Sequence, residues 1–174
     1  HEGFAPRRVV EVDHGTPWSE VLSVEALAGP VLVGGYHGTW AAPGALAGLR
    51  VSRSAMRERG LALGAGVVLP LAGRECPVHV TAGLTAYLAE QSAGRCGPCR
   101  NGLPALAVAL HQLDAGRPSI DRVTELGRVV SGRGACAHPD GTVRLVRSLV
   151  EAFPEEIAAH AEGSCLCAGP GLGR

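Results

Sequence analysis

Cys96-Gly97-Pro98-Cys99 is the stretch best placed to carry chemistry. A gap of two residues lets both sulfurs of one turn point at a single metal ion or cluster, and Cys136 follows after a long helical interval. A disulfide framework is the wrong frame for these thiols, because such scaffolds are short and core-poor. This chain has 174 residues, of which 46% are hydrophobic, enough for a real core. No charged-then-apolar export pattern opens it. Reduced thiols in a cytosol follow as the expectation, with metal or cluster ligation as the leading use of the Cys-x-x-Cys. Residue 1 is His rather than Met, which reads as a fragment or a processed product.

Composition narrows the remaining classes. Formal net charge is zero, so no basic surface argues for nucleic acid and no acidic tail for a solvating role. Aromatic residues make up 3%, so Leu, Val and Ala must build the core. No run of eighteen apolar residues occurs, and no membrane span is expected.

The elements that position the thiols fall into two groups. Residues 8–12 read as a strand, and Thr16-Pro17 opens a short helix over 18–27 that ends near Gly29-Pro30. Val31-Leu32-Val33 is a second strand running into Gly34-Gly35, where the loop demands positive φ or close backbone approach. Residues 41–60 give no clear pattern, and 61–71 read as a strand pair about a Gly64-Ala65-Gly66 turn. After Cys76 the pattern becomes helical. Val80, Leu84, Tyr87 and Gln91 share a face, with Leu88 beside them; Leu103, Leu106, Leu110 and Leu113 form a second stripe ending at Gly116. Ser119 opens a third helix, with Ile120, Val123, Leu126 and Val130 inside, up to Gly132, and Asp140 or Thr142 a fourth, broken by Pro154 before a last turn to His160. Short connections predict an antiparallel bundle whose inter-helix loops carry Cys96, Cys99 and Cys136. The fold expected is α+β: a small domain over 1–75, a four-helix bundle over 76–163, and a Gly-rich tail over 164–174 that holds Cys165 and Cys167.

Ser92-Ala93-Gly94-Arg95-Cys96-Gly97-Pro98-Cys99-Arg100 resembles the Ser-Cys-Gly-x-Cys-x-Pro-Cys-Arg motif of the NADH-binding flavoprotein subunit of complex I, NAD-dependent hydrogenases and formate dehydrogenases. Weaker matches run in order along the chain. His14-Gly15-Thr16-Pro17, Val31-Leu32-Val33-Gly34-Gly35 and Leu63-Gly64-Ala65-Gly66-Val67-Val68 are similar to that family's β-grasp (SLBB) domain, Cys76 falls where the family often has a Cys, and Glu155, Glu156 and His160 fit its closing helix. The resemblance implies a β-grasp domain followed by a helical iron–sulfur domain, with Cys96, Cys99 and Cys136 as ligands of a [4Fe–4S] cluster. It implies one-electron transfer within an NADH dehydrogenase-type oxidoreductase. The partners implied are other electron-transfer subunits or a ferredoxin-like protein, at a cytoplasmic location peripheral to a membrane complex. Two departures stand out. Ala93 replaces the family's first cluster cysteine, and the upstream domain that binds FMN and NADH has no counterpart in these residues. The Gly34–Gly38 loop is no substitute, lacking the strand, Gly-x-Gly-x-x-Gly and helix that cradle a pyrophosphate.

Three fixed thiols leave one corner of a cubane open. Cys165 or Cys167 is the expected fourth ligand, with His138 and Cys76 as alternatives, and a [3Fe–4S] centre or an exogenous ligand as further ones. Arg95 and Arg100 flank the thiols, where they would offset the charge of a thiolate-bound cluster. The competing reading is an interaction module without redox activity, metal-free or stapled by zinc at Cys96, Cys99, Cys136 and either His138 or a tail Cys. Taken singly, Cys76 reads as a buried small hydrophobe, and His14, His37, His79, His111 and His160 show no metal-ligand pairing at i, i+4.

Overall fold

The computed structural model describes residues 8–73 and 75–168. The chain divides into two compact units, His1–Arg74 and Glu75–Arg174. The residues expected as a tail are described only as far as 168; 169–174 lie outside the described residues, as do 1–7.

In the first unit, β1 (Val31–Val33) lies between β2 (Thr39–Ala41) and β3 (Val68–Pro70) in an antiparallel sheet of order β2-β1-β3. Val31 pairs with Ala41 and Pro70, and Val33 with Thr39 and Val68. Alternate residues of a strand share a face, so Val31 and Val33 point together into a core with Trp18, Leu27, Ala41, Leu46, Met56 and Leu61. The indole N–H of Trp18 donates to the Met56 sulfur at 3.2 Å. Gly34 and Gly35 carry φ of +99° and +86°, and their N–H groups donate to the Val67 carbonyl. That geometry turns the chain out of β1 where only glycine is unstrained.

Residues 8–12 form no strand. Val9, Val10 and Val12 are all exposed, so the segment has no face to bury, and burial is what holds such residues in a strand. The expected helix over 18–27 is split into α1 (Trp18–Val21) and α2 (Val24–Ala28). Ser23 sits extended between them, and its hydroxyl accepts from the Ala26 N–H, which favours a fresh helix start over continuation. Residues 53–57 form a further short helix, α3 (Arg53–Arg57), capped by Ser52 in the same way. Of the strand pair expected over 61–71, only β3 is present; Leu61 turns its side chain into the core instead.

The second unit is helical: α4 (Pro77–Glu90), a π-helical turn (Pro98–Gly102) leading directly into α5 (Leu103–Asp114), α6 (Ile120–Val130), α7 (His138–Ala152) and α8 (Pro154–Ala161). Pro154 breaks the chain as its missing N–H requires, but residues 154–161 form a helix of their own, so among the described residues of this unit five α-helices stand where four were expected. α5 packs against α4, α6 and α8, and α7 against α4, α6 and α8. Leu103, Leu106, Leu110 and Leu113 are fully buried along α5. The buried face of α4 is Val78, Thr81, Ala82, Thr85 and Leu88; Tyr87, expected inside, is exposed. Small residues on that face let the backbones of α4 and α5 approach, which the larger side chains at 84 and 87 would prevent. Ser119 precedes α6, but its hydroxyl donates to the Ala109 carbonyl and so ties α6 to α5 instead of capping. Among the described residues no helix is long and apolar enough to cross a membrane.

Two substitutions test this packing. A Cβ at Gly38 would collide with the Val33 carbonyl oxygen, a backbone atom that cannot step aside. Gly38→Ala is expected to cost about 2 kcal/mol and lower the melting temperature of the first unit by on the order of 10 °C. Leu110→Ala, which empties a fully buried site on α5, is expected to cost about 3 kcal/mol and lower the melting temperature of the helical unit by roughly 10–20 °C. Calorimetry of each variant measures both shifts.

Candidate metal centre

The cysteines of the helical unit gather in two sets. The first is the triplet of the Cys-x-x-Cys motif. Cys96 follows the C-terminal end of α4, Cys99 is buried in the π-helical turn, and Cys136 is exposed just ahead of α7. The turn closes through the Leu103 N–H donating to the Pro98 carbonyl. Its last residue, Gly102, lies under Val130 at the end of α6, where a Cβ would strike the Val130 side chain. Two bonds pin the loop that carries Cys136. Asp140, in the first turn of α7, accepts from the Gly132 N–H at 2.7 Å, and His138 Nε2 meets the Leu88 carbonyl near the end of α4 at 2.8 Å.

The electrostatics of the triplet favour a thiolate at Cys96. Backbone N–H groups of Ala135 and then Cys99 hydrogen-bond to its sulfur and hold its thiol below the ordinary range, with the Cys99 thiol adding to this. Burial pushes the Cys99 thiol up, and the neighbouring Cys96 and Cys136 sulfurs raise it further. The structure therefore places the Cys96 and Cys136 sulfurs each within electrostatic reach of Cys99. The positive N-terminal end of α7, beside Cys136, also favours negative charge here. Ala93 lies exposed in the preceding loop and offers no donor atom.

The second set stands at the other end of α4. Cys76 is the N-cap of α4, and Glu156 lies in the first turn of α8. After α8 comes a 3₁₀ turn (Leu166–Ala168), with Cys165 just ahead of it and Cys167 within it. One ligand atom from each of these four residues lies within 4.8 Å of the other three. The Cys76 thiol donates to Glu156 Oε1 at 3.4 Å, and the Cys167 thiol to Glu156 Oε2 at 3.6 Å. His160 Nε2 lies 3.1 Å from Glu156 Oε1 and 3.2 Å from the Cys76 sulfur. Its Nδ1 faces Asp114 Oδ1 at 3.9 Å, and Asp114 Oδ2 pairs with His79 Nδ1 at 2.8 Å. Burial, then the nearby Glu156 and Cys165, pushes the Cys76 thiol far up. The same three causes push Cys167 up to about 11.

The fourth-ligand candidates are placed accordingly. Cys76, Cys165 and Cys167 all belong to the second set, and α4, with 14 residues, puts about 20 Å between its two ends. His138 commits Nε2 to the Leu88 carbonyl. The reading of Cys76 as a small buried hydrophobe accounts for its burial but misses its partners, which lie 80 and 84 residues downstream. His160 has its i, i+4 partner on the helix in a carboxylate, Glu156, and not in a second histidine. That Glu-x-x-x-His spacing, closely followed by Cys-x-Cys, was the available signal.

The family described as the NADH-ubiquinone oxidoreductase-F iron–sulfur binding region matches residues 79–160. The F subunit of NADH-quinone oxidoreductase from Mycobacterium tuberculosis (strain ATCC 25618 / H37Rv) is 33% identical over 91 residues, covering 51% of this chain and 20% of that protein. Its counterpart from Escherichia coli (strain K12) is 34% identical over 86 residues, covering 47% and 19%. The match thus spans about one fifth of these curated relatives. A solved NAD+-reducing [NiFe]-hydrogenase in the H2-reduced state shares the fold over 84% of this chain and 26% of its own, with a TM-score of 0.71 and 22% identity. Residues 79–160, where the first cysteine set lies, are thus similar to the NADH-ubiquinone oxidoreductase-F iron–sulfur binding region.

Proposed function

We propose that Cys96, Cys99 and Cys136 hold a [4Fe–4S] cluster and that the chain passes single electrons through it. The observation that carries this reading is the convergence of three thiols from two separate loops, with backbone N–H groups of Ala135 and Cys99 directed at the Cys96 sulfur. Such hydrogen bonds stabilise a thiolate ligand and set the potential of the group it binds. The donor set fits iron–sulfur chemistry, because all three atoms are soft sulfurs and positive backbone groups stand behind them. When bound, the cluster supplies one-electron transfer without making or breaking a substrate bond.

The chain's own residues do the rest. Asp140 and His138 fix the Cys136 loop, and the π-helical turn presents Cys99 from a buried position. Arg95 and Arg100 flank the thiols and offset their charge. Ala93 leaves one corner without a cysteine, and the opposite-end seating of Cys165 and Cys167 argues for an exogenous ligand at that corner. In this reading NADH and FMN act on a domain outside these 174 residues. Electrons leave to another electron-transfer subunit or a ferredoxin-like protein, at the cytoplasmic periphery of a membrane complex. The β-grasp reading of the first unit belongs to the same proposal, supported by its small antiparallel sheet and its run of motif matches.

Iron and sulfide analysis with electron paramagnetic resonance, on protein purified without oxygen, tests the proposal. Roughly four irons and four sulfides per chain are expected, with a signal that appears on dithionite reduction. Cys96→Ser is expected to remove most of the iron and the brown colour. A colourless chain, or iron unchanged in Cys96→Ser, would overturn the assignment. Roughly three irons with a signal in the oxidised state would replace the cubane by a [3Fe–4S] centre.

A further inference from the structure

We propose that Cys76, Glu156, Cys165 and Cys167 form a second metal site, closed and four-coordinate, that takes one zinc ion. It goes beyond the iron–sulfur reading and does not rest on it, since the two cysteine sets lie at opposite ends of α4.

Size decides between one ion and a cluster. The four ligand atoms lie within 4.8 Å of one another. Zinc–sulfur bonds of about 2.3 Å give a tetrahedron with edges of about 3.8 Å, so the four residues close on an ion with small side-chain adjustments. A cubane holds its ligand sulfurs outside the corners of a box of iron and sulfide, farther apart than this. Donor type decides between ions. Three thiols and a carboxylate suit zinc and not magnesium or calcium, which take oxygen. Zinc also outranks ferrous iron in affinity for such a set.

The surroundings are those of a ligating set. Glu156 and His160 are both buried in α8, and His160 bridges Glu156 to Asp114. A histidine and a second carboxylate behind a ligating carboxylate fix its orientation, as the outer shell of metal sites does. The ligands come from three places: the start of α4, the first turn of α8 and the segment after α8. That segment is already folded back, with the Ser164 N–H and hydroxyl both donating to the Ala159 carbonyl and Gly163 packed on Gly116. On binding, a cation takes the place of the thiol protons that Cys76 and Cys167 direct at Glu156. A divalent cation held by all four residues fastens the segment to both helices.

The test uses the full chain, purified without oxygen and dialysed against zinc and then buffer. Metal analysis is expected to find about one zinc per chain, the capacity of one closed site. Cobalt in place of zinc is expected to give an intense thiolate-to-cobalt absorption. Cys165→Ser with Cys167→Ser is expected to abolish both, while the iron content stays at the wild-type value. Cys96→Ser is expected to lose iron and keep zinc, so failure of either site is read apart from failure of the other. A chelator is expected to lower the melting temperature of the wild-type chain and leave that of the double variant unchanged. Should the double variant fail to fold, Glu156→Gln with cobalt serves instead, with a weakened absorption expected. No zinc in the wild-type chain, or zinc unchanged in the tail variant, would overturn the site. Iron lost from the tail variant would return Cys165 and Cys167 to the cluster. Zinc excluded by a disulfide that forms even without oxygen, seen as two missing free thiols, would also overturn it.

Discussion

The inner face of α5 is closed to water along its whole length, and the helical unit takes its order from that burial. Leu103, Leu106, Leu110 and Leu113 are each fully buried, so α4, α6 and α8 must lie against them. With α4 held in place, its two ends become fixed points. Cys96 and Cys99 follow from one, and Cys76 begins the other. The sulfur chemistry is therefore distributed by the hydrophobic packing of a helix that carries no cysteine of its own.

The two ends treat thiols in opposite ways. Near Cys96 the sulfur meets backbone N–H groups, which stabilise negative charge and draw its thiol down. Near Cys76 and Cys167 it meets burial and a carboxylate, which push the thiols up. The same functional group is thus made ready to ionise at one end and held protonated at the other until a cation arrives. The difference comes from the groups that surround each sulfur: loop and helix-start N–H groups in the first case, a carboxylate of α8 in the second.

How far the sequence could be read depended on the range of the interactions involved. The leucine stripe of α5, the Cys-x-x-Cys and the Gly34-Gly35 turn are local patterns, and each is present in the structure. The exposed stretch at Val9–Val12 has the composition of a strand but buries neither face, and burial is a property of the fold rather than of the segment. The buried face of α4 runs through Thr81, Ala82 and Thr85 because a neighbouring helix comes close there; hydrophobicity alone pointed to Leu84 and Tyr87. The contacts of Cys76 with Glu156 and His160 join the first and last helices of the unit. Only the completed fold makes that pairing visible.

The π-helical turn between Cys99 and Leu103 separates two counts along the chain. Such a turn holds one residue more than an α-turn of the same chain. The spacing of the cysteines is counted from one side of it and the leucine stripe from the other. An insertion or deletion upstream of Leu103 can be absorbed in that turn without rotating the buried face of α5. The binding loop can thereby change length independently of the packing helix, while the scaffold beneath keeps its register.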